Sequence, residues 1–520
     1  MTFLKVHQKH SLAIDMESAY TLLHAEYQSA LEKIEALEAK IKQLEEQLRL
    51  MQHQRFGKKT EVSLGESVAP ALQTVAGYTR RTGKKSVGRT IDTTLLPRQK
   101  IIHDLEEGHK HCACCQKPLS CIGQDVSEQL EVIPMRLYVA EHIRYKYACV
   151  HCQTVQMAPK PKSPIPKALA GGSLITEIVL NKYQYHLPLY RQSQILASYQ
   201  AQIPDNTLGQ WVYQSGSGLI RIYEALWGAC LEAGYLQVDE TPVKVLKPNK
   251  KGYLWVYYAP HCGEGLVFFE LSLTRSSSVP EQRLADFKGL LQTDGYNGYH
   301  NLRRRAGITG FGCLTHARRK FDEVLKISKN PDGIAAEVLQ RLKPIYALEA
   351  KMKNLGLSFH TRKRLRQKQA WPLFKALKAY LSQNQHRVPA NSKLSLAIDY
   401  MLHQWPYLIR YLRHGAVEID TNGVENRIRP SALGRKNWLF IGHEDSGLIH
   451  ALWYSLIYSA LLNGLNPRVY VHYLLSKIHE LRAKTIDPST LLPHLISHEA
   501  LAAFAQEQIV LAKQLRFDSS

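Results

Sequence analysis

Three short acidic segments, widely separated along the chain, restrict what it can fold into more than any other feature. They occupy residues 235–241 (YLQVDET), 291–296 (LQTDGY) and 420–427 (DTNGVENR). In the first two an aspartate follows an apolar, strand-like run, and in the third a glutamate opens a helix-like run. Carboxylates on two strands and a helix can hold two divalent metal ions if the fold brings them together. The candidate ligands are Asp239, Asp294 and Glu425.

The two aspartates each have an interpretation that needs no metal. Strand alternation puts Gln237 and Asp239 on one face, turned away from the core, and Pro242 is expected to interrupt the ladder soon afterwards. Asp239 therefore also fits an ordinary solvated edge residue, and the neighbouring Glu240 is a rival ligand. Asp294 precedes a glycine, and Asp-Gly is a frequent turn dipeptide.

The glutamate has the strongest competing interpretation. Asn422 as an N-cap with Glu425 three residues later matches a capping box, which needs no catalysis. Basic residues beside the acidic segments favour a metal site instead, because their guanidinium and ammonium groups could grip the phosphates of nucleic acid. The candidates for this role are Arg318, Arg319, Lys320, Arg427, Arg429, Arg435 and Lys436.

Length and charge narrow the class of protein. At 520 residues the chain is too long for one core, so several domains are expected. It carries 67 Lys+Arg against 45 Asp+Glu, a net charge of +22, which favours a polyanion partner. DNA fits that charge, and so does a ribosome- or membrane-associated role. No apolar run reaches about eighteen residues, and acidic residues interrupt any signal-peptide stretch. We therefore expect a cytoplasmic protein with no membrane partner.

The N-terminal region, residues 17–57, has a heptad seam typical of a coiled coil. Isoleucine at position a with leucine at position d favours a parallel two-stranded coil, and hence a homodimer or higher oligomer. An amphipathic helix packed on its own domain is the alternative. Position a holds Tyr27, Ile34, Ile41 and Leu48, and position d holds Leu23, Ala30, Leu37, Leu44 and Met51.

A basic linker (58–100) and a cysteine-rich module (101–160) follow. In the linker, the pairs Arg80-Arg81 and Lys84-Lys85 fit an arm lying along DNA phosphates and equally a solvated, flexible chain. In the module, two C-x-x-C knuckles with 33 residues between them suit tetrahedral zinc, and alternation at 130–134 and 137–140 predicts the strands of a zinc ribbon. The expected zinc ligands are Cys112, Cys115, Cys149 and Cys152, with Cys114 an alternative in the first knuckle.

The remaining chain alternates between helical and strand-like patterns, as expected for a multidomain α/β protein. Residues 166–232 are predicted to form short helices, which fit either a helix-turn-helix-like unit or a plain helical connector. Three apolar runs predict an antiparallel meander, and a helix and two further strands follow. The meander runs are 236–246, 252–259 and 266–273, the helix is 279–288, and the later strands are 290–294 and 308–314. The chain is then expected to be helical to residue 413, at 448–462, and in the C-terminal region 451–520.

These motifs resemble, in order along the chain, those of the DDE transposases of the insertion sequence 66 family. The likeness covers nearly the whole chain and includes the acidic segments described above. It also includes residues 55–59 (RFGKK), 125–130 (DVSEQL), 316–321 (HARRKF), 434–440 (GRKNWLF) and 462–467 (LNGLNP).

The resemblance implies an RNase H-like catalytic core at 233–450 with a helical insertion at about 317–415, in which Asp239, Asp294 and Glu425 form a catalytic triad that holds Mg²⁺ or Mn²⁺. It implies binding of terminal inverted repeats, strand cleavage and strand transfer into target DNA at the bacterial nucleoid, with small companion proteins from the same element. Asn426 and Thr421 replace the family's usual arginine and asparagine, but no carboxylate is lost. Two rival functions are a zinc-dependent dimeric DNA-binding regulator and a metal-dependent nuclease that joins no strands.

Overall fold

A computed structural model gives the fold of most of the chain. It describes residues 136–148 and 155–514, residues 117–118, and residues 27–38 with a few positions around them between 24 and 48. The four expected zinc ligands and the basic pairs at 80–85 lie outside the described residues. The chain divides into a unit at 62–139 and a larger unit formed by the other residues, to which the elements below belong.

Helix α1 comprises residues 27–38 and continues at the described positions as far as residue 48. Its seam residues Ile34, Leu37, Ile41 and Leu44 are exposed by 50–59% within the single chain. A helix packed on its own domain would bury such a seam, so this exposure favours a partner chain, and the coiled coil itself stays a prediction. None of the described helices is long and apolar enough to cross a membrane.

A small antiparallel hairpin flanks the second cysteine knuckle in the sequence. Its strands are β1 (Lys146–Ala148) and β2 (Val155–Met157), with Lys146 opposite Met157. The strand predicted at 137–140 was wrong, because residues 136–145 carry no regular element and pairing begins only at Lys146. Alternation favours an extended chain, but a strand also needs a partner in register, and β2 is too short to reach back that far.

Four short helices precede the main sheet, as the sequence predicts. Pro188 and Pro204 stand just before the second and third helices, where a fixed φ and a missing N–H are tolerated. The helices are α2 (Gly172–Tyr183), α3 (Leu189–Ser198), α4 (Asp205–Ser217) and α5 (Ile220–Glu232).

The main sheet is mixed and has six strands, in the order β5-β4-β3-β6-β7, with β8 paired to the far end of β3. The predicted meander is confirmed, since β3, β4 and β5 are successively antiparallel. The pairs β3/β6, β6/β7 and β3/β8 are parallel. The strands are β3 (Tyr235–Lys247), β4 (Lys250–Ala259), β5 (Leu266–Ser272), β6 (Gly289–Gln292), β7 (Ile308–Phe311) and β8 (Ile441–His443).

Pro242 does not end its strand, contrary to expectation. Strand β3 continues to Lys247, and Pro242 lies opposite Tyr253 of β4. On its other side β6 pairs only as far as Gln237 and β8 only from Val245 onwards. Pro242 therefore lies in a gap between two partner strands, where its missing N–H removes no hydrogen bond from the sheet.

Five helices separate β7 from the third acidic segment. They are α7 (Leu314–Ser328), α8 (Ile334–Asn354), α9 (Phe359–Leu365), α10 (Trp371–Gln385) and α11 (Lys393–Leu408). All of them except α9 contribute to an apolar core that reaches Tyr235 and Phe311 of the sheet. The two ends of this helical segment meet, because the Leu314 amide donates to the Ile419 carbonyl at 3.2 Å.

A buried arginine holds the chain in place where this helical segment returns to the sheet. The Arg366 guanidinium, fully buried, makes a two-pronged ion pair with Glu349, at 2.9 and 2.7 Å. Its third nitrogen donates to the carbonyls of His414 and Val417, at 2.6 and 2.9 Å. The chain just before the third acidic segment is thereby tied to helix α8.

The remaining helices begin with α6 and continue after the third acidic segment. Helix α13 lies on β5, and its Ser455 and Ser459 hydroxyls accept hydrogen bonds from the Phe269 and Val267 amides of that edge strand. The predicted helix at 279–288 is shorter than expected, since α6 ends at Arg283. The bounds are α6 (Ser278–Arg283), α12 (Asn422–Trp438), α13 (Glu444–Leu462), α14 (Pro467–Ser476), α15 (Ile478–Ala483) and α16 (His498–Gln514).

Candidate catalytic centre

The fold brings the three acidic segments to one place. Asp239 lies on β3 and Asp294 stands two residues beyond the end of the neighbouring parallel strand β6. Gln237 of β3 is paired with Gln292 of β6, and each aspartate lies two residues after its glutamine. Because the two strands are parallel, the chain runs in the same direction at both aspartates. Glu425 is on the first turn of α12, which packs against β3 and β4.

Two buried glutamines hold the three segments together. The Gln237 amide donates to Gln292 Oε1 at 3.0 Å, and Gln292 donates to the Glu418 carbonyl at 2.9 Å. Gln237 also donates to the Asp420 carbonyl at 3.1 Å and accepts from the Val424 amide at 3.0 Å. Side-chain amides thus bridge two strands to the start of α12.

Sequence reasoning missed these glutamines, although a signal was present. Both aspartates end the same four-residue pattern, Leu-Gln-x-Asp, at 236–239 and 291–294. A polar residue repeated at one position of two otherwise apolar strands indicates a buried hydrogen-bonded pair. The face of β3 that carries Gln237 is therefore covered, and Gln237 is only 1% exposed. The expectation that this face turns away from the core was wrong.

The carboxylates at the centre repel one another, and this repulsion affects the pKa of Asp239. Burial, together with the charges of Asp294 and Glu240, raises the pKa of Asp239 well above its usual value, and His316 opposes this. Burial also raises the pKa of Glu240, but both of its oxygens are already engaged. One accepts from Arg275 at 2.7 Å and the other from the Tyr299 hydroxyl at 2.5 Å. Glu240 is thus held by the protein itself, which favours Asp239 as the residue that binds an ion.

The capping-box interpretation of Glu425 was wrong. Helix α12 begins at Asn422 with Thr421 at the N-cap, and no side chain caps it. The Asn422 amide groups bond instead to the two oxygens of Asp420, at 3.1 and 3.0 Å. Glu425 Oε2 accepts from Arg319 at 3.0 Å, while Oε1 lies 3.6 Å from His316 Nδ1 and makes no hydrogen bond to any residue that the structure describes.

Two further residues at the centre were not proposed as site residues from the sequence. Asp420 accepts from the Thr315 hydroxyl at 2.8 Å, and burial raises its pKa. Cys313 is buried at the N-cap of α7, three residues before His316, and burial raises the pKa of its thiol to about 12. The Cys313 sulfur accepts a hydrogen bond from the Thr421 amide at 3.3 Å.

The basic residues expected to contact phosphates fall into two groups. Arg319 pairs with Glu425, and Arg435 reaches back to the Thr241 hydroxyl and the Pro242 carbonyl, so both are engaged within the protein. The other five lie on the same two helices, three of them over aromatic rings and two simply exposed. Arg318 lies over Tyr346, Lys320 over Tyr400 and Arg427 over Tyr258, while Arg429 and Lys436 are exposed.

The donors at the centre fit a hard divalent cation. Asp239 and Asp294 repel one another, and Glu425 on α12 offers a further oxygen that makes no hydrogen bond within the described residues. Oxygen donors with excess negative charge are what Mg²⁺ and Mn²⁺ prefer. A divalent ion would relieve the like-charge repulsion that the protein otherwise carries.

Comparison with known proteins agrees with this arrangement. Residues 167–448 match the family model described as Transposase IS66 family, and residues 109–153 match the zinc-finger binding domain of transposase IS66. The two matched family models define the chain as a transposase. It belongs to the IS66 family, and the zinc-finger domain supports Zn²⁺ as a bound metal.

Relatives of similar length exist in a bacterium, Sinorhizobium fredii (strain NBRC 101917 / NGR234). The uncharacterized protein y4jD is 34% identical over 429 residues, which cover 79% of this chain and 83% of that protein. The uncharacterized protein y4hP is 29% identical over 476 residues, 86% of each chain.

Proposed function

We propose that this transposase is a DDE enzyme whose Asp239, Asp294 and Glu425 bind divalent ions for DNA strand cleavage and strand transfer. The observation that carries the proposal is the convergence of the three acidic segments on one buried amide network. The mixed sheet, with Asp239 on its central strand and a helical segment before Glu425, supports an RNase H-like core with a helical insertion.

The residues of the chain would share the work as follows. Asp239, Asp294 and Glu425 would hold Mg²⁺ or Mn²⁺. When bound, these ions activate an attacking water or 3′-hydroxyl and stabilise the leaving oxygen. Arg319 keeps Glu425 Oε2 in place, and Oε1 makes no hydrogen bond within the described residues. The Gln237–Gln292 pair keeps both aspartates at a fixed separation from α12.

DNA contacts would come from outside the centre. Arg318 and Lys320 on α7, and Arg429 and Lys436 on α12, are exposed close to the acidic segments in the sequence and suit phosphate contacts. The zinc-finger domain, with Cys112, Cys115, Cys149 and Cys152 as ligands, and the linker residues Arg80, Arg81, Lys84 and Lys85 would recognise the terminal inverted repeats. The coiled coil would hold two ends together, with target DNA joining later.

Three conservative substitutions test the proposal. We expect Asp239→Asn, Asp294→Asn and Glu425→Gln each to abolish cleavage of terminal-repeat DNA while binding of that DNA stays within about threefold, because phosphate contacts supply most affinity. Cleavage is measured on labelled substrate in Mg²⁺, and binding by gel shift at fixed salt. Near-normal cleavage by Glu425→Gln would remove Glu425 from the ligand set.

Strand joining separates a transposase from the rival nuclease. Purified protein with precleaved ends and a plasmid target should give covalently joined products in Mg²⁺. Cleavage without any joined product would favour the nuclease, and DNA binding without cleavage would favour the regulator.

A further inference from the structure

A second kind of donor set lies against the carboxylates. Cys313 at the N-cap of α7, His316 on its first turn and Glu425 on the first turn of α12 each present one donor atom. The Cys313 sulfur, a ring nitrogen of His316 and a carboxylate oxygen of Glu425 all lie within 4.8 Å of one another. The three donors come from two helix starts that the fold brings face to face.

Two of these donors face each other, and neither makes a hydrogen bond in the described part of the chain. His316 Nδ1 and Glu425 Oε1 are both inaccessible to solvent and without a hydrogen-bond partner. Buried polar atoms without partners are costly, and a missing ion is one of the ordinary reasons for them. The two atoms are 3.6 Å apart, and donor atoms on one tetrahedral zinc ion lie about 3.4–3.6 Å apart.

The surroundings also suit a metal-bound thiolate. Cys313 is only 2% exposed, and its sulfur already accepts a hydrogen bond from the Thr421 amide at 3.3 Å. An N–H directed at sulfur stabilises the thiolate form, in the way that outer contacts orient and tune metal ligands. Arg319 holds the other oxygen of Glu425, which leaves Oε1 directed towards His316.

We propose that Cys313, His316 and Glu425 form a site for a borderline-soft divalent ion such as Zn²⁺, which shares Glu425 with the site of Asp239, Asp294 and Glu425. Thiolate and imidazole donors select zinc and its neighbours and are poor ligands for Mg²⁺. Three protein ligands leave a fourth position open to water, as in zinc sites that exchange their ion. The thiolate and carboxylate together neutralise the charge of the ion.

The site has a regulatory consequence, and this part rests on the proposed function. Glu425 Oε1 cannot serve both sites at once, so zinc bound by Cys313 and His316 would withdraw an oxygen from the Mg²⁺ site. Free zinc should therefore inhibit cleavage in competition with Mg²⁺. A rise in the concentration of free zinc in the cell would inhibit the transposase through Cys313 and His316.

Cobalt binding tests the site without any measurement of activity. The full-length protein is loaded with one equivalent of Zn²⁺ per chain, which the zinc-finger domain with its four cysteines takes up before a three-ligand site does, and is then titrated with Co²⁺. We expect one additional Co²⁺ per chain, with a sulfur-to-cobalt charge-transfer band and tetrahedral visible absorption. Cys313→Ser should lose the charge-transfer band, and His316→Gln should weaken binding more than tenfold.

The matched control is Cys230→Ser, which alters a buried cysteine on α5 outside the site. It should bind Co²⁺ as the wild type does. The proposal is overturned if no additional Co²⁺ binds, or if the band is unchanged in Cys313→Ser. Should Cys313→Ser not fold, unchanged affinity in His316→Gln overturns it equally.

Inhibition of cleavage by Zn²⁺ tests this inference separately from the proposed function. In Mg²⁺, added Zn²⁺ should inhibit wild-type cleavage at least tenfold more strongly than it inhibits Cys313→Ser, each measured against its own uninhibited rate. Cobalt binding without any cleavage activity would refute the proposed function but keep the site. Cleavage that zinc inhibits equally in both proteins would refute the regulatory role.

Discussion

At the scale of single residues, the positioning of the centre depends on two amides that carry no charge. Gln237 makes three hydrogen bonds to groups on other segments, and each of them is buried. A carboxylate can be recognised in a sequence from its type and neighbours. The amides could not be assigned a role there, because their partners are more than fifty residues away and become neighbours only when β3 and β6 pair in register.

Gln237→Leu tests the amide network. Removing the amide takes away the hydrogen bonds of Gln237 to the Asp420 carbonyl and the Val424 amide. We therefore expect the unfolding free energy to fall by about 1–3 kcal/mol for each buried polar group that loses its partner. Cleavage should fall by about 10–100-fold, as when a supporting contact of a metal ligand is lost. Denaturant unfolding and cleavage rates are the measurements. Gln282→Leu, at an exposed position on α6, is the control and should change neither.

Asp239→Asn should make the metal-free protein more stable. The substitution removes a buried charge that Asp294 and Glu240 both repel, so the unfolding free energy should rise by about 1 kcal/mol at neutral pH. Mg²⁺, which should raise the melting temperature of the wild type, should have a smaller effect on the variant. Thermal melts with and without Mg²⁺ measure both effects. Asp286→Asn, at an exposed position, serves as the control. A less stable variant would mean that the Asp239 charge is compensated by the protein.

At the scale of elements, local patterns were sufficient for most of the secondary structure. The meander, the four short helices and the long helical segment follow from periodicity and from prolines at turns. What could not be predicted depends on contacts between distant segments. Strand β8 is three residues long, and only its pairing with the end of β3 makes it a strand. Similarly, the capping-box pattern at Asn422 was present in the sequence, but Asp420 competes for the same side chain.

The Arg366–Glu349 pair should be essential for the helical segment. Arg366→Met leaves the buried Glu349 carboxylate with only its longer contact to Arg362, at 3.8 Å, and we expect a loss of about 3–5 kcal/mol in unfolding free energy. Replacing both residues by methionine should recover part of that loss, because the Glu349 charge is then removed and Arg362 keeps its contact with Glu418. Denaturant unfolding of the two single variants and the double variant measures this. A double variant as unstable as the worse single variant would assign the effect to the carbonyl contacts of Arg366.

At the scale of the whole molecule, the seam of α1 bears on how many chains act together. The seam of α1 is exposed along its length, and a protein that pairs two DNA ends has a use for a two-stranded coil. A dimer is formed by contacts with a second chain, which is where the exposed seam residues of α1 would be buried. The seam is therefore best tested directly.

Replacing Ile41 and Leu44 by lysine should separate the protomers. Both side chains are more than half exposed in the single chain, and four like charges would meet in the seam of a dimer. We expect light scattering to give half the wild-type mass and paired-end complexes to disappear, with single-end binding weakened. Glu32→Lys with Glu35→Lys adds the same lysines at outward heptad positions and should leave the mass unchanged. An unchanged mass for the seam variant would assign oligomer formation to another surface.

The meeting of the two ends of the helical segment has a consequence for how such proteins diversify. Because Leu314 and Ile419 are joined by a backbone hydrogen bond, the route from the second carboxylate to the third leaves the sheet and returns at the same point. Evolution can therefore lengthen, shorten or exchange the intervening helices as a cassette while the spacing of the carboxylates is conserved. Among relatives, we expect insertions and deletions to be most frequent between α8 and α11 and rare within the few residues on either side of that hydrogen bond.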